Sequence, residues 1–182
     1  MATPPVFVAG QVLTAAQMNA IGMWEVKSQT AFTSASVITI DNIFTSDYTN
    51  YLIKLTATAT SGSAVTGQYR VGGVAAATNY NTQAAEIANA TAWTVYKNTA
   101  QTNMDLASLA NAQGSLDFYI FGPALAAQTN HYVHTSYSGA TATVPGYLIR
   151  SGNHSTATAY DGIAISFSVA ATGTYTVYGY TK

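Results

Sequence analysis

Between Tyr51 and Thr60 the chain alternates without a break. Tyr51, Ile53, Leu55, Ala57 and Ala59 fall on one side, and Leu52, Lys54, Thr56, Thr58 and Thr60 on the other. Side chains on an extended backbone switch faces at every residue, so this period of two predicts a strand with one face on a core and one toward polar surroundings. Such a strand needs neighbours, because its backbone donors and acceptors must be paired on both sides. The residues before it form a corner. Thr45-Ser46-Asp47 is a polar knot of turn-forming side chains, held between Phe44 and Tyr48 as apolar anchors.

Further strands are expected at Trp24–Ser28, Ser36–Ile40, Gly67–Gly73, Ser115–Phe121, His131–Tyr137 and Val144–Ser151, with Ser61-Gly62-Ser63 and Ser138-Gly139 as turns. The chain closes on a predicted hairpin, Ile163–Val169 against Tyr175–Tyr180, around a loop containing Gly173. Residues 75–113 are the least legible. Ala84–Ala88 reads as one helical turn, and Trp93–Lys97 and Met104–Leu109 as short strands. Short strands between polar, glycine-containing turns predict an all-β fold, an antiparallel β-sandwich of jelly-roll-like kind over residues 23–182.

Residues 1–22 read differently. Pro4-Pro5 imposes an extended start. Thr14 with Gln17 forms a capping box, Leu13 with Met18 a hydrophobic staple, and Gly22 a stop, which predicts a helix of about two turns. So short a helix is not stable alone in water. It should dock on a partner, and we expect an anchoring segment.

Charge limits the classes of partner. Only 7% of residues are charged, with six Lys or Arg and seven Asp or Glu, against about 25% in an ordinary soluble domain. No basic stripe exists to neutralise a phosphate backbone, so nucleic acid is not an expected partner. A surface coated with neutral hydroxyls and amides has little protection against self-association. A homo-oligomer or a component of a larger assembly is therefore expected. No cysteine is present. The N-terminus has no basic region followed by an apolar run, as a secretory signal would, and no stretch approaches the roughly 20 apolar residues of a membrane span. The expectation is a protein made and used as a soluble species, without membrane insertion.

The chemistry-bearing residues are sparse. His131 and His134 are three apart, which on a strand sends them to opposite faces, and His154 lies in a predicted loop. Surface or interface histidines are the expectation, with no metal and no cofactor. Among the seven carboxylates, Asp117 is the one whose place in an apolar strand suggests burial, and the facing acid pair of a glycosidase is not evident. No nucleophile elbow or phosphate-binding glycine loop appears, so no catalytic residue is assigned. Thirteen tyrosines, many beside Gly, Ser, Thr or Asn, resemble adaptable binding surfaces or subunit seams. Tyr132, Tyr137, Tyr147 and Tyr160 are the candidate ligand surface, and its neutral hydroxyl-rich character suits glycans.

The opening segment PPVFVAGQVLTAAQMNAIG resembles the N-terminal stretch of tailed-phage tail-fibre and minor tail proteins. Phe7, Gly10, Leu13, Thr14, Ala15, Met18 and Asn19 match that pattern. GMWEVKSQT, IDNIFTSDYTNYLIKL and the closing TGTYTVYGYTK are similar to small β-structured phage minor tail proteins. The likeness covers about half the chain and fades over residues 75–113 and beyond Gln128. It implies a non-enzymatic virion protein, commonly trimeric, in which Phe7, Gly10, Leu13, Thr14, Met18 and Asn19 anchor to other virion proteins while the β domain faces a host-cell-surface glycan. Two alternatives stay open: a capsid-decoration or head-fibre protein, and a carbohydrate-active depolymerase.

Overall fold

Alternation carries through the three-dimensional structure. The computed structural model describes residues 10, 12, 22–87, 92–109, 113–138 and 145–180, and these form strands and connections with no helix. Eleven strands, all paired antiparallel, make one sheet ordered β4-β3-β11-β2-β8-β9-β10-β5-β6, with β1 also on β11 and β7 also on β3. The sheet curls into a half-barrel. Strand bounds are β1 Met23–Ile40, β2 Asn50–Ala59, β3 Ser63–Val71, β4 Val74–Ala75, β5 Tyr80–Ile87 and β6 Thr94–Gln101. Then come β7 Met104–Leu109, β8 Gln113–Phe121, β9 Thr129–Ser138, β10 Pro145–His154 and β11 Gly162–Tyr180.

The predicted central strand is β2. Tyr51, Ile53, Leu55, Ala57 and Ala59 are all buried, between β11 on one side and β8 on the other. The corner before it also forms as expected. Phe44 is buried and packs edge-on against Tyr51 with ring centroids 4.8 Å apart. The Tyr51 hydroxyl accepts from Thr45 N at 2.7 Å and donates to Thr45 O at 3.0 Å, so one buried side chain satisfies both backbone groups of the turn.

Where sequence and structure part, small residues are the cause. The predicted closing hairpin is instead one 19-residue strand, β11, and the two segments read separately at its far partner are one 18-residue strand, β1. Their pairing absorbs several register shifts, and Ser34 adopts positive φ of 48° within β1. Gly173 is no loop residue. It sits in register between Phe32 and Ala57, and a Cβ there would lie 2.8 Å from Ala57 Cα. β11 uses the missing side chain to stay close to β2. The first half of β11 then pairs with β3 and its second half with β2, so this strand carries the sheet around its bend. The expected helical turn at Ala84–Ala88 is also corrected: Ala84 to Ile87 belong to β5, because pairing with β10 and β6 on both sides outweighs alanine's local helix preference.

The core fills the inside of the curl. Val65, Tyr69, Met104, Leu106, Phe118, Ile120, Val133 and Ile165 are fully shielded, each large side chain worth about 1.5–3 kcal/mol of burial. β7 lies across from β9 and β10: Thr135 Oγ1 donates to Leu106 O, and Asp105 faces Arg150. The anchoring segment expected at 1–22, including Phe7, Leu13, Thr14, Met18 and Asn19, lies outside the described residues apart from exposed Gly10, Val12 and Gly22. No helix among the described residues is long and apolar enough to cross a membrane.

Candidate ligand-binding face

Strict alternation on β8, β9, β10 and β5 gives the sheet an inner face of core residues and an outer face of aromatics and neutral polar groups. Register sets the outer rows. Tyr119, Tyr132, Ser151, Gln83 and Lys97 stand side by side on β8, β9, β10, β5 and β6. One pleat along, Phe121, Asn130, Asn153 and Asn81 make a second row.

An aromatic string crosses this face. Tyr119 and Tyr132 have ring centroids 6.3 Å apart, Tyr132 and His134 4.6 Å, His134 and Tyr147 5.9 Å, and Tyr147 and Trp93 6.2 Å. The Tyr132 hydroxyl is hydrogen-bonded to His134 Nε2. Burial, with Tyr147 and Tyr119 nearby, raises the Tyr132 pKa, so the ring stays neutral and its hydroxyl stays a donor. Tyr147 and Trp93 are 39% and 51% exposed, which leaves faces free for a partner.

Beside the string runs a groove of about 420 Å³, lined by Asn81, Gln83, Lys97, Asn130, Tyr132, Ser151 and Asn153 among others. The amides are already oriented: Asn81 Nδ2 donates to Asn153 Oδ1 at 2.9 Å, and Asn81 Oδ1 accepts from Ala100 N at 3.1 Å. A more apolar groove of about 510 Å³ continues it over Ala85, Val95 and Ile149.

The four tyrosines chosen from sequence divide. Tyr132 and Tyr147 lie on this outer face, bridged by His134. Tyr137 and Tyr160 are buried at 8% and 3% exposure. Tyr160 stacks on Tyr69 at 5.1 Å and shares a hydrogen bond with His154 Nδ1 at 2.8 Å. Both therefore pack the interior and do not meet the other two. Tyr119, Trp93, Asn81, Gln83, Lys97 and Asn153 were not singled out. The alternation around Phe118 could have shown Tyr119; the others fall in or pair with the illegible middle of the chain.

The histidines also differ from expectation. His131 and His134 do face opposite ways, but His131 and His154 are each 2% exposed, so neither is a surface residue. His154 ends β10 and lies in no loop. Its Nε2 meets the carbonyl of Thr78 at 2.8 Å; a carbonyl can only accept, so Nε2 holds the proton and Nδ1 accepts from Tyr160. Burial, then the neighbouring His154, pushes the His131 pKa down to about 3. No group of three His, Asp or Glu placed to hold a metal occurs among the described residues.

Asp117 is not buried. It lies on the outer face, 2.7 Å from Lys54 across the β2–β8 pair. The interior charge is instead Arg150, 3% exposed, whose Nη2 donates to Tyr96 Oη at 2.9 Å. Its Nη1 lies 3.3 Å from Asp105 Oδ1 as an ion pair without hydrogen-bond geometry, and Glu86 is 3.7 Å away. Burial first, then the bond to Asp105, raises the Tyr96 hydroxyl to about 12.

No family model and no curated protein matches the chain. A solved structure described as the CBM2 module of Lactobacillus casei BL23 phage J-1 evolved Dit aligns with 80% of this chain and 70% of that one. The identity is 9% and the TM-score 0.25, a likeness that carries no argument about fold or ligand.

Proposed function

We propose that this chain is a structural protein of a tailed-phage virion, belonging to the tail or its fibre, that binds host-surface glycan through its outer sheet face and catalyses no reaction. The observation that carries the glycan reading is the string Tyr119–Tyr132–His134–Tyr147–Trp93 set beside rows of Asn, Gln and Ser. A sugar ring has an apolar C–H face that packs on an aromatic ring, and hydroxyls that exchange hydrogen bonds with carboxamides. An exposed row of aromatics beside a groove with a few convergent polar groups supplies both. The virion reading is supported by the N-terminal resemblance and by the scarcity of charge.

In this reading Phe7, Gly10, Leu13, Thr14, Met18 and Asn19 attach the chain to other virion proteins, and the chain assembles as a trimer. The curled sheet is then taken as a jelly-roll-like sandwich, with β3 and β7 beginning its second layer.

The test is binding of the full chain to a panel of bacterial surface polysaccharides. A Tyr132→Ala/Tyr147→Ala variant with wild-type thermal stability should lose at least about tenfold in affinity, since base–aromatic and comparable ring contacts are worth roughly 1–3 kcal/mol each. Wild-type binding by that variant, or no binding to any polysaccharide, would overturn the reading.

A further inference from the structure

Resting on the glycan reading, we infer that the groove beside Tyr132 selects a saccharide carrying one anionic oxygen group, a carboxylate or a phosphate, and that Lys97 is the residue that recognises it. The groove lining is otherwise uncharged: Asn81, Gln83, Asn98, Thr99, Asn130, Ser151 and Asn153 supply neutral donors and acceptors, and no Asp or Glu lines it. Lys97 lines both this groove and the more apolar one that continues it. Among the described residues Lys97 has no carboxylate partner.

The acids that could cancel its charge are occupied elsewhere. Glu86 and Asp105 flank Arg150, which is buried on the inner face of the sheet. Asp117, on the same outer face, is held by Lys54 at 2.7 Å. The charge at the groove is therefore net positive and single. A lysine ammonium is a compact point charge with three donors, suited to an oxyanion without imposing the planar fork of arginine.

Position sets the size of the ligand. Tyr132, Ser151, Gln83 and Lys97 occupy one row on four adjacent strands, so the stacking ring and the cation are three strand spacings apart, about 14 Å. One sugar ring cannot bridge that span. A chain of about two to three units can, with one unit on Tyr132, hydroxyls over Ser151 and Gln83, and the acidic group at Lys97.

The experiment is calorimetric titration of the full chain with three oligomers: an oligogalacturonate, the same oligomer after carboxyl reduction, and an oligomeric poly(glycerol phosphate). At least one anionic oligomer should bind about fivefold or more tightly than the neutral one, the size expected of a partly exposed ion pair. That advantage should shrink as salt is raised. Lys97→Gln, with its melting temperature unchanged, should bring the anionic affinity down to that of the neutral oligomer, and Lys97→Arg should retain the advantage. Preference for the galacturonate assigns a carboxylate, and preference for the phosphate polymer a phosphate. Equal binding of all three, or an advantage that survives Lys97→Gln, overturns the charge inference while leaving the glycan reading intact. Binding of none of the three overturns both.

Discussion

Acidification from pH 7 to pH 5 should destabilise the fold by about 2 kcal/mol through His131 alone. The imidazole is shut inside the curl against Phe118 and Tyr69, at centroid separations of 5.8 and 6.3 Å. Burial, followed by the proximity of His154, lowers its pKa from 6.5 to about 3. In the unfolded chain the ring titrates at its ordinary value. Below pH 6.5 the unfolded state therefore binds a proton that the native state refuses, and stability falls with pH until the native ring also protonates near pH 3. At pH 5 the gap is one and a half decades, which at about 1.36 kcal/mol per decade gives about 2 kcal/mol. Urea titrations at pH 7 and pH 5 would measure it. With a slope of about 2 kcal/mol per molar, the midpoint should move by about 1 M. His131→Phe keeps an aromatic ring in the site and removes the titration. His154, also lowered by burial, is common to both proteins and cancels in the comparison. The wild-type midpoint should thus fall by about 1 M more than that of His131→Phe. Equal falls in the two proteins would refute the assignment.

Two further outcomes follow from the interior. Asp105→Asn leaves the Arg150 guanidinium buried with Glu86 alone at 3.7 Å, and should cost about 3 kcal/mol, or about 6–12 °C of melting temperature. Adding Arg150→Met to it should restore part of that loss by thermal denaturation, and a double variant no more stable than Asp105→Asn would contradict the burial argument. Gly173→Ala forces a Cβ against the β2 backbone at Ala57 and should cost about 1–3 kcal/mol in the same assay. An unchanged melting temperature would show that β11 and β2 can separate there freely.

Much of the sheet could be read from residue order because alternation and burial have the same cause. β2, β7, β8 and β9 appear close to where Tyr51–Thr60, Met104–Leu109, Ser115–Phe121 and His131–Tyr137 placed them. The long strands could not be read, because Ala170-Ala171-Thr172-Gly173 has the composition of a loop and is held extended only by partners on both sides. Ala84 to Ile87 fail for the same reason: alanine signals helix locally, and sheet only once β10 and β6 flank it. The site was half legible. A tyrosine's ring and hydroxyl suit both interior and exterior, so Tyr160 and Tyr132 look alike in sequence. They are told apart by parity on a strand or by a partner such as His154. The groove amides were hidden because Asn81, Gln83 and Lys97 lie in β5 and β6, where neither face is strongly apolar.

The pairing of β1 with β11 begins at Met23 opposite Tyr180. The start of the first strand and the finish of the last are therefore next-door neighbours on one rim. A sheet whose two ends meet in this way can be spliced into a loop of another polypeptide without stretching its carrier, and its own order can be rearranged by joining those two points and cutting an exposed turn elsewhere.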